Sequence, residues 1–133
     1  MTRAVALGIS VVLAGLLAAS ARSQPQQQGV SQLMRMKLEH SQKVLEGVAV
    51  EDFKLISDNA RSLTALSQAA EWRVFQTPEY RQYSAEFRRT ADALAAMADA
   101  KNLDGAALNY VQLTMTCVNC HKYVRVIRLA QAP

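Results

Sequence analysis

From Asp104 to Leu129 the chain reads DGAALNYVQLTMTCVNCHKYVRVIRL. Tyr110, Leu113, Cys117, Cys120, Val124 and Ile127 succeed one another at steps of 3, 4, 3, 4 and 3. That is the spacing of one face of an α-helix. Asp104 is a good N-cap residue. A helix over 104–129 would be about 39 Å long at 1.5 Å per residue. Both cysteines fall on its apolar seam, so their chemistry belongs on the side the helix buries.

Upstream, Val30 to Ala132 contains one proline, Pro78, and two glycines, Gly47 and Gly105. So few breakers argue for long helices. Thr77-Pro78-Glu79 supplies an N-cap, a proline at the first helical position and an acid in the first turn. Tyr80, Phe87, Ala91, Leu94 and Ala98 then keep helical spacing. A second helix is expected over about 51–68. Phe53, Ile56, Ala60, Leu63 and Leu66 line one side, and Glu51 and Asp52 suit the positive end of its dipole. A loop over 69–76, holding the single Trp72, separates these two segments. The first helix is expected over about 31–46. Met34, Leu38, Ser41, Leu45 and Val48 form its stripe, Leu33 and Val44 widen it, and Gly47 stops it as a left-handed residue. No alternating β pattern and no internal repeat is found. Four amphipathic helices with mostly short connections predict an all-α fold, an antiparallel four-helix bundle.

Residues 1–23 read differently. Met1-Thr2-Arg3 is a short positive start, Ala4–Ala19 is unbroken apolar and small, and Ala19-Ser20-Ala21 and Ala21-Arg22-Ser23 fit small-x-small cleavage. This predicts a secretory signal peptide and a periplasmic protein. The run is short for a membrane span, which takes about 20 residues. No membrane association beyond the signal peptide is therefore expected. Residues 24–30 are polar and aperiodic and read as a disordered leader, with the bundle domain over 31–133. The whole chain carries 15 Lys and Arg against 11 Asp and Glu. Without Arg3 and Arg22, 13 bases face 11 acids, a charge of +2. That is too weak for nucleic-acid binding, which takes a strong basic stripe, and too weak to steer a partner over distance.

Both cysteines and one of the two histidines occur within Cys117-Val118-Asn119-Cys120-His121. C-x-x-C-H is the signature of covalent c-type haem attachment. Two thiols three residues apart on one helical turn reach the two vinyl groups of one porphyrin. The next residue then presents its imidazole to the iron as proximal ligand. Export agrees with this chemistry, since such haem is attached outside the cytoplasm. Two rivals use the same residues. In an oxidising compartment Cys117 and Cys120 can form a disulfide or thiol redox pair, although the thioredoxin type follows a strand in a βαβ setting. A zinc site takes four ligands, and only Cys117, Cys120, His121 and the distant His40 are on offer.

With C-x-x-C-H on the last helix of a four-helix bundle, the chain resembles the cytochrome c′ family and its low-spin relatives. The likeness is carried by Phe87–Arg125: FRRTADALAAMADAKNLDG, AALNYVQLTMT and CVNCHKYVR. It includes the aromatic, the A-D-A-x-x-L-D turn, the helix length to the first Cys, and Arg125 four residues after His121. Val124 stands where the family usually has Tyr, and Tyr123 lies one place earlier. The match covers about the last third of the chain, with a weaker echo in NARSLTALS from Asn59. The resemblance implies one haem c, thioether-linked at Cys117 and Cys120, with iron held by His121 and Arg125 on the proximal side.

In that family the sixth iron position faces the first helix. A Met there makes a six-coordinate electron carrier, and an apolar residue leaves iron open to NO or CO. The family's spacing, counted back from Gly47, lands near Ser31. The donors nearby are Met34, on the apolar stripe, Met36 on its flank and His40 at its edge. Lys37 lies near the stripe centre, where its ammonium can snorkel or pair with a haem propionate.

The expected function is an exported monohaem c-type cytochrome that passes single electrons to and from a redox partner protein. Its alternatives are a five-coordinate haem that binds a small gas, and a haem-free bundle with a Cys117–Cys120 thiol pair. No Ser-His-Asp set, paired acids or phosphate loop points to an enzyme. A homodimer is the expected assembly.

Overall fold

The computed structural model describes residues 24–69 and 74–130, which form four α-helices with no strand among them. These are α1 (Gln24–Val50), α2 (Phe53–Leu66), α3 (Pro78–Asp99) and α4 (Leu103–Ala130). Each helix packs on the next in sequence, and α1 closes only loosely on α4. The result is the expected four-helix bundle, with one seam more open than the rest. Residues 1–23, where a signal peptide is expected, and Trp72 lie outside the described residues.

The core is built from Val44, Ile56, Ala60, Leu63, Phe87, Ala91, Leu94 and Leu113, all but sealed from solvent. α3 buries Tyr80, Phe87, Ala91, Leu94 and Ala98, the residues its spacing predicts. Thr77 Oγ1 accepts from the Tyr80 N–H at 3.2 Å, with Pro78 opening the helix. In α2, Ile56, Ala60 and Leu63 are buried, while Phe53 and Leu66 are half-buried at its ends.

α1 departs from expectation in three ways. It begins at Gln24, so residues 24–30 are its first two turns rather than a disordered leader. Gln is a good helix former and Pro25 is tolerated in a first turn. The helix also runs past Gly47 to Val50. The left-handed residue is Glu51, with φ 58°, and the Asp52 N–H donates to Gly47 O at 2.9 Å. This is a Schellman closure displaced by one turn. Gly47 serves close packing instead: a Cβ there would lie 2.8 Å from Ile56 Cγ1 and 3.1 Å from Asp52 O. Lastly, the buried positions are Leu33, Lys37, Val44 and Gly47, while Leu38 is 59% exposed. The residues expected to widen the stripe form its buried centre.

The α3–α4 turn repeats the device. Lys101 has φ 53°, and the Asn102 N–H donates to Met97 O at 2.9 Å. Asn102, not Asp104, caps α4, its Oδ1 accepting from the Gly105 N–H at 2.9 Å. On α4, Leu113 and Cys120 are buried, and Tyr110, Cys117, Val124 and Ile127 are half-buried. Among the described residues no helix is long and apolar enough to cross a membrane.

Candidate functional site

Where α1 and α4 part, a cavity of about 700 Å³ opens between them. Small-molecule and cofactor sites take roughly 300–1,000 Å³. Cys117, Cys120 and His121 line it from α4, and Met34, Lys37 and Leu38 from α1. Leu63, Tyr83 and Phe87 complete the wall. The face of α1 that carries Met34 and Leu38 is thus a cavity wall. This explains why its apolar residues spread over a wider stripe than one core seam needs.

The pentapeptide sits in regular helix, so Cys117 and Cys120 are one turn apart on one face. Both thiols are free, Cys120 buried and Cys117 half-buried. Burial pushes both thiols above their ordinary range, opposed by the charge of Lys37. A thiol redox pair depends on the opposite shift, towards thiolate. His121 stands at the exposed rim. Partial burial, with the charges of Lys37, Arg125 and Arg128, holds its imidazole below its usual range. This favours the neutral imidazole, the form that binds a metal.

Lys37 is the unusual group. It is only 8% exposed, and its Nζ lies 3.4 Å from the centroid of the Phe87 ring. A desolvated cation–π contact is worth about 2 kcal/mol. Burying an ammonium costs several kcal/mol even after relaxation. Desolvation wins, and the Lys37 pKa falls to about 7.

The other expected donors are placed as follows. Met34 is half-buried on the cavity wall. Ser31, exposed, lines the cavity's edge. Met36 is exposed and off the wall. His40 is off the wall too: its ring N–H donates from Nδ1 to Asn59 Oδ1 at 2.8 Å. Asn59 Nδ2 in turn donates to Leu55 O at 2.8 Å, which fixes the amide's orientation. His40, expected at the edge of the stripe as a rival sixth ligand, thus ties α1 to α2. Among the described residues no group of three or more His, Cys, Asp or Glu is placed to hold a metal ion by itself. Cys117, Cys120, His121 and His40 thus do not assemble the four ligands of a zinc site. Arg125 is exposed, one turn beyond His121.

Two features escaped the sequence. Tyr83 joins the cavity wall, and its ring lies 5.4 Å from that of Tyr123. The Tyr123 hydroxyl donates to Thr77 Oγ1 at 2.7 Å, which fastens the last turns of α4 to the start of α3. Their only signal was the helical spacing of Tyr80, Tyr83 and Phe87, which does not say what a face meets.

The residues present fit a covalently held haem. Two thiols and an adjacent neutral imidazole open onto a mainly apolar cavity of suitable volume. No family model, curated protein or solved structure matches the chain.

Proposed function

We propose that this chain is an exported monohaem c-type cytochrome, a periplasmic single-electron carrier of cytochrome c′ type. The observation that carries the reading is that Cys117, Cys120 and His121 share one wall of the cavity. Cys117 and Cys120 would hold the haem as thioethers and His121 would hold its iron. Bound there, haem supplies a one-electron ferric/ferrous couple, filled by a reduced partner protein and emptied by an oxidised one. Covalent attachment keeps the group from being lost outside the cytoplasm. Leu38, Leu63 and Phe87, which line the cavity, would keep water from the group, and burial is one of the levers that set a haem potential. Arg125, exposed one turn beyond His121, would stand on the proximal side.

The test is a redox titration of the chain exported by cells that attach c-type haem. A reversible one-electron couple is expected, and its absence would overturn the reading. The mainly apolar cavity also suits capture of NO or CO at an open iron. That alternative predicts a high-spin spectrum in which the reduced form shifts with CO. The haem-free alternative predicts no haem bands at all.

A further inference from the structure

We propose that Lys37 supplies the sixth iron ligand, through its Nζ amine. The inference rests on the haem reading above and concerns the face of the ring opposite His121.

Three observations carry it. Lys37 is the one lysine buried among the described residues, and it lines the same cavity as Cys117, Cys120 and His121. Lys37 on α1 and the pentapeptide on α4 therefore face one cavity from its two sides. Its Nζ is held over Phe87, inside the bundle rather than snorkelling to solvent. Side chains on a helix lean toward its N-terminus. Lys37 thus leans toward the turn of α1 that carries Met34, on the same cavity wall.

An amine binds iron only through its free electron pair, so an ordinary exposed lysine is excluded by its proton. Burial against the Phe87 ring lowers that barrier here, leaving a substantial share of the amine unprotonated near neutral pH. Binding forms one N–Fe bond, releases any remaining ammonium proton to water and changes no oxidation state. Met34 is half-buried on the same wall and is the rival donor. His40 is engaged with Asn59.

The experiment uses the exported, haem-loaded chain and compares Lys37→Leu with Met34→Leu. Ferric optical and electron paramagnetic resonance spectra read the spin state, and CO addition to the reduced protein reads access to iron. The parent and Met34→Leu are expected to be low-spin and unmoved by CO. Lys37→Leu is expected to turn high-spin and to bind CO. A second measurement needs no variant. Near-infrared magnetic circular dichroism of the parent is expected to show the charge-transfer energy of amine–imidazole ligation, not that of methionine. The proposal is overturned if Met34→Leu is the variant that opens the iron, if the parent is already high-spin, or if Lys37→Leu shifts only the potential. The last result would make Lys37 a propionate partner. All three leave the cytochrome reading standing, whereas a parent without covalent haem removes both.

Discussion

The Tyr123 hydroxyl and Thr77 Oγ1 meet at 2.7 Å across 46 residues of sequence. Thr77 is also the N-cap of α3, accepting from the Tyr80 N–H. One threonine therefore starts α3 and anchors the turn of α4 that follows His121.

Removing the hydroxyl with Tyr123→Phe is expected to cost about 1 kcal/mol, the net worth of one hydrogen bond. Thr77→Ala removes the cap as well and is expected to cost up to about 2 kcal/mol. The double variant should fall short of the sum, because the two residues share a bond. Urea unfolding of the three variants checks this.

Two turns place non-glycine residues in the left-handed region, Glu51 at φ 58° and Lys101 at φ 53°. Lys101→Gly is expected to stabilise the chain by roughly 1 kcal/mol. Gly47→Ala should do the reverse. A Cβ at Gly47 meets Ile56 and backbone within 3.1 Å, whereas one at Gly105 meets side chains only, Met97 Sδ and the amide of Asn102. Overpacking at position 47 is expected to cost about 1–3 kcal/mol, and Gly105→Ala much less. Thermal unfolding of the three variants gives the ordering.

The burial of Lys37 makes haem-free stability depend on pH. Its folded pKa is about 7, against 10.5 when unfolded. Between those values the unfolded chain binds more protons, so stability rises as pH rises through the window. In a Cys117→Ala, Cys120→Ala chain, with no thiols to titrate, the gain from pH 7 toward 10 is expected to be on the order of 3 kcal/mol. Above that, Tyr80, pushed up to about 12, works against it. Lys37→Leu in the same background is expected to flatten the dependence. An equal slope with and without Lys37 would contradict its burial.

Leu38 and Leu94 separate cavity wall from core. Leu94 is fully buried, and Leu94→Ala is expected to cost about 2–5 kcal/mol with or without haem. Leu38 is 59% exposed, and Leu38→Ala is expected to change the haem-free chain by less than about 0.5 kcal/mol. It should destabilise the haem-loaded chain by a further 1 kcal/mol or so, because bound haem buries it. Denaturation of both forms reads the difference.

Much of this was legible in the sequence. Thr77-Pro78-Glu79 announced α3 to the residue, and the Tyr110–Ile127 seam put both cysteines on the inner side of α4. Both signals are local, since capping and helical period are set by near neighbours. Errors arose where two demands shared one stretch. On α1 the apolar residues serve a core seam at Leu33 and Val44 and a cavity wall at Met34 and Leu38. A single stripe fitted to both is centred on neither. Glycine's tolerance of positive φ makes Gly47 resemble a turn former, but its missing side chain is used to admit Ile56. The partners of His40 and Tyr123, Asn59 and Thr77, lie on other helices, and periodicity does not name them.

The central claim is that Cys117 and Cys120 carry haem. The most direct measurement is the intact mass of the chain after export by cells with c-type haem attachment. The account predicts a mature chain heavier by one haem, with c-type bands that persist after denaturation and vanish in Cys117→Ala, Cys120→Ala. A mass equal to the polypeptide alone, with two titratable thiols or one disulfide, would contradict it.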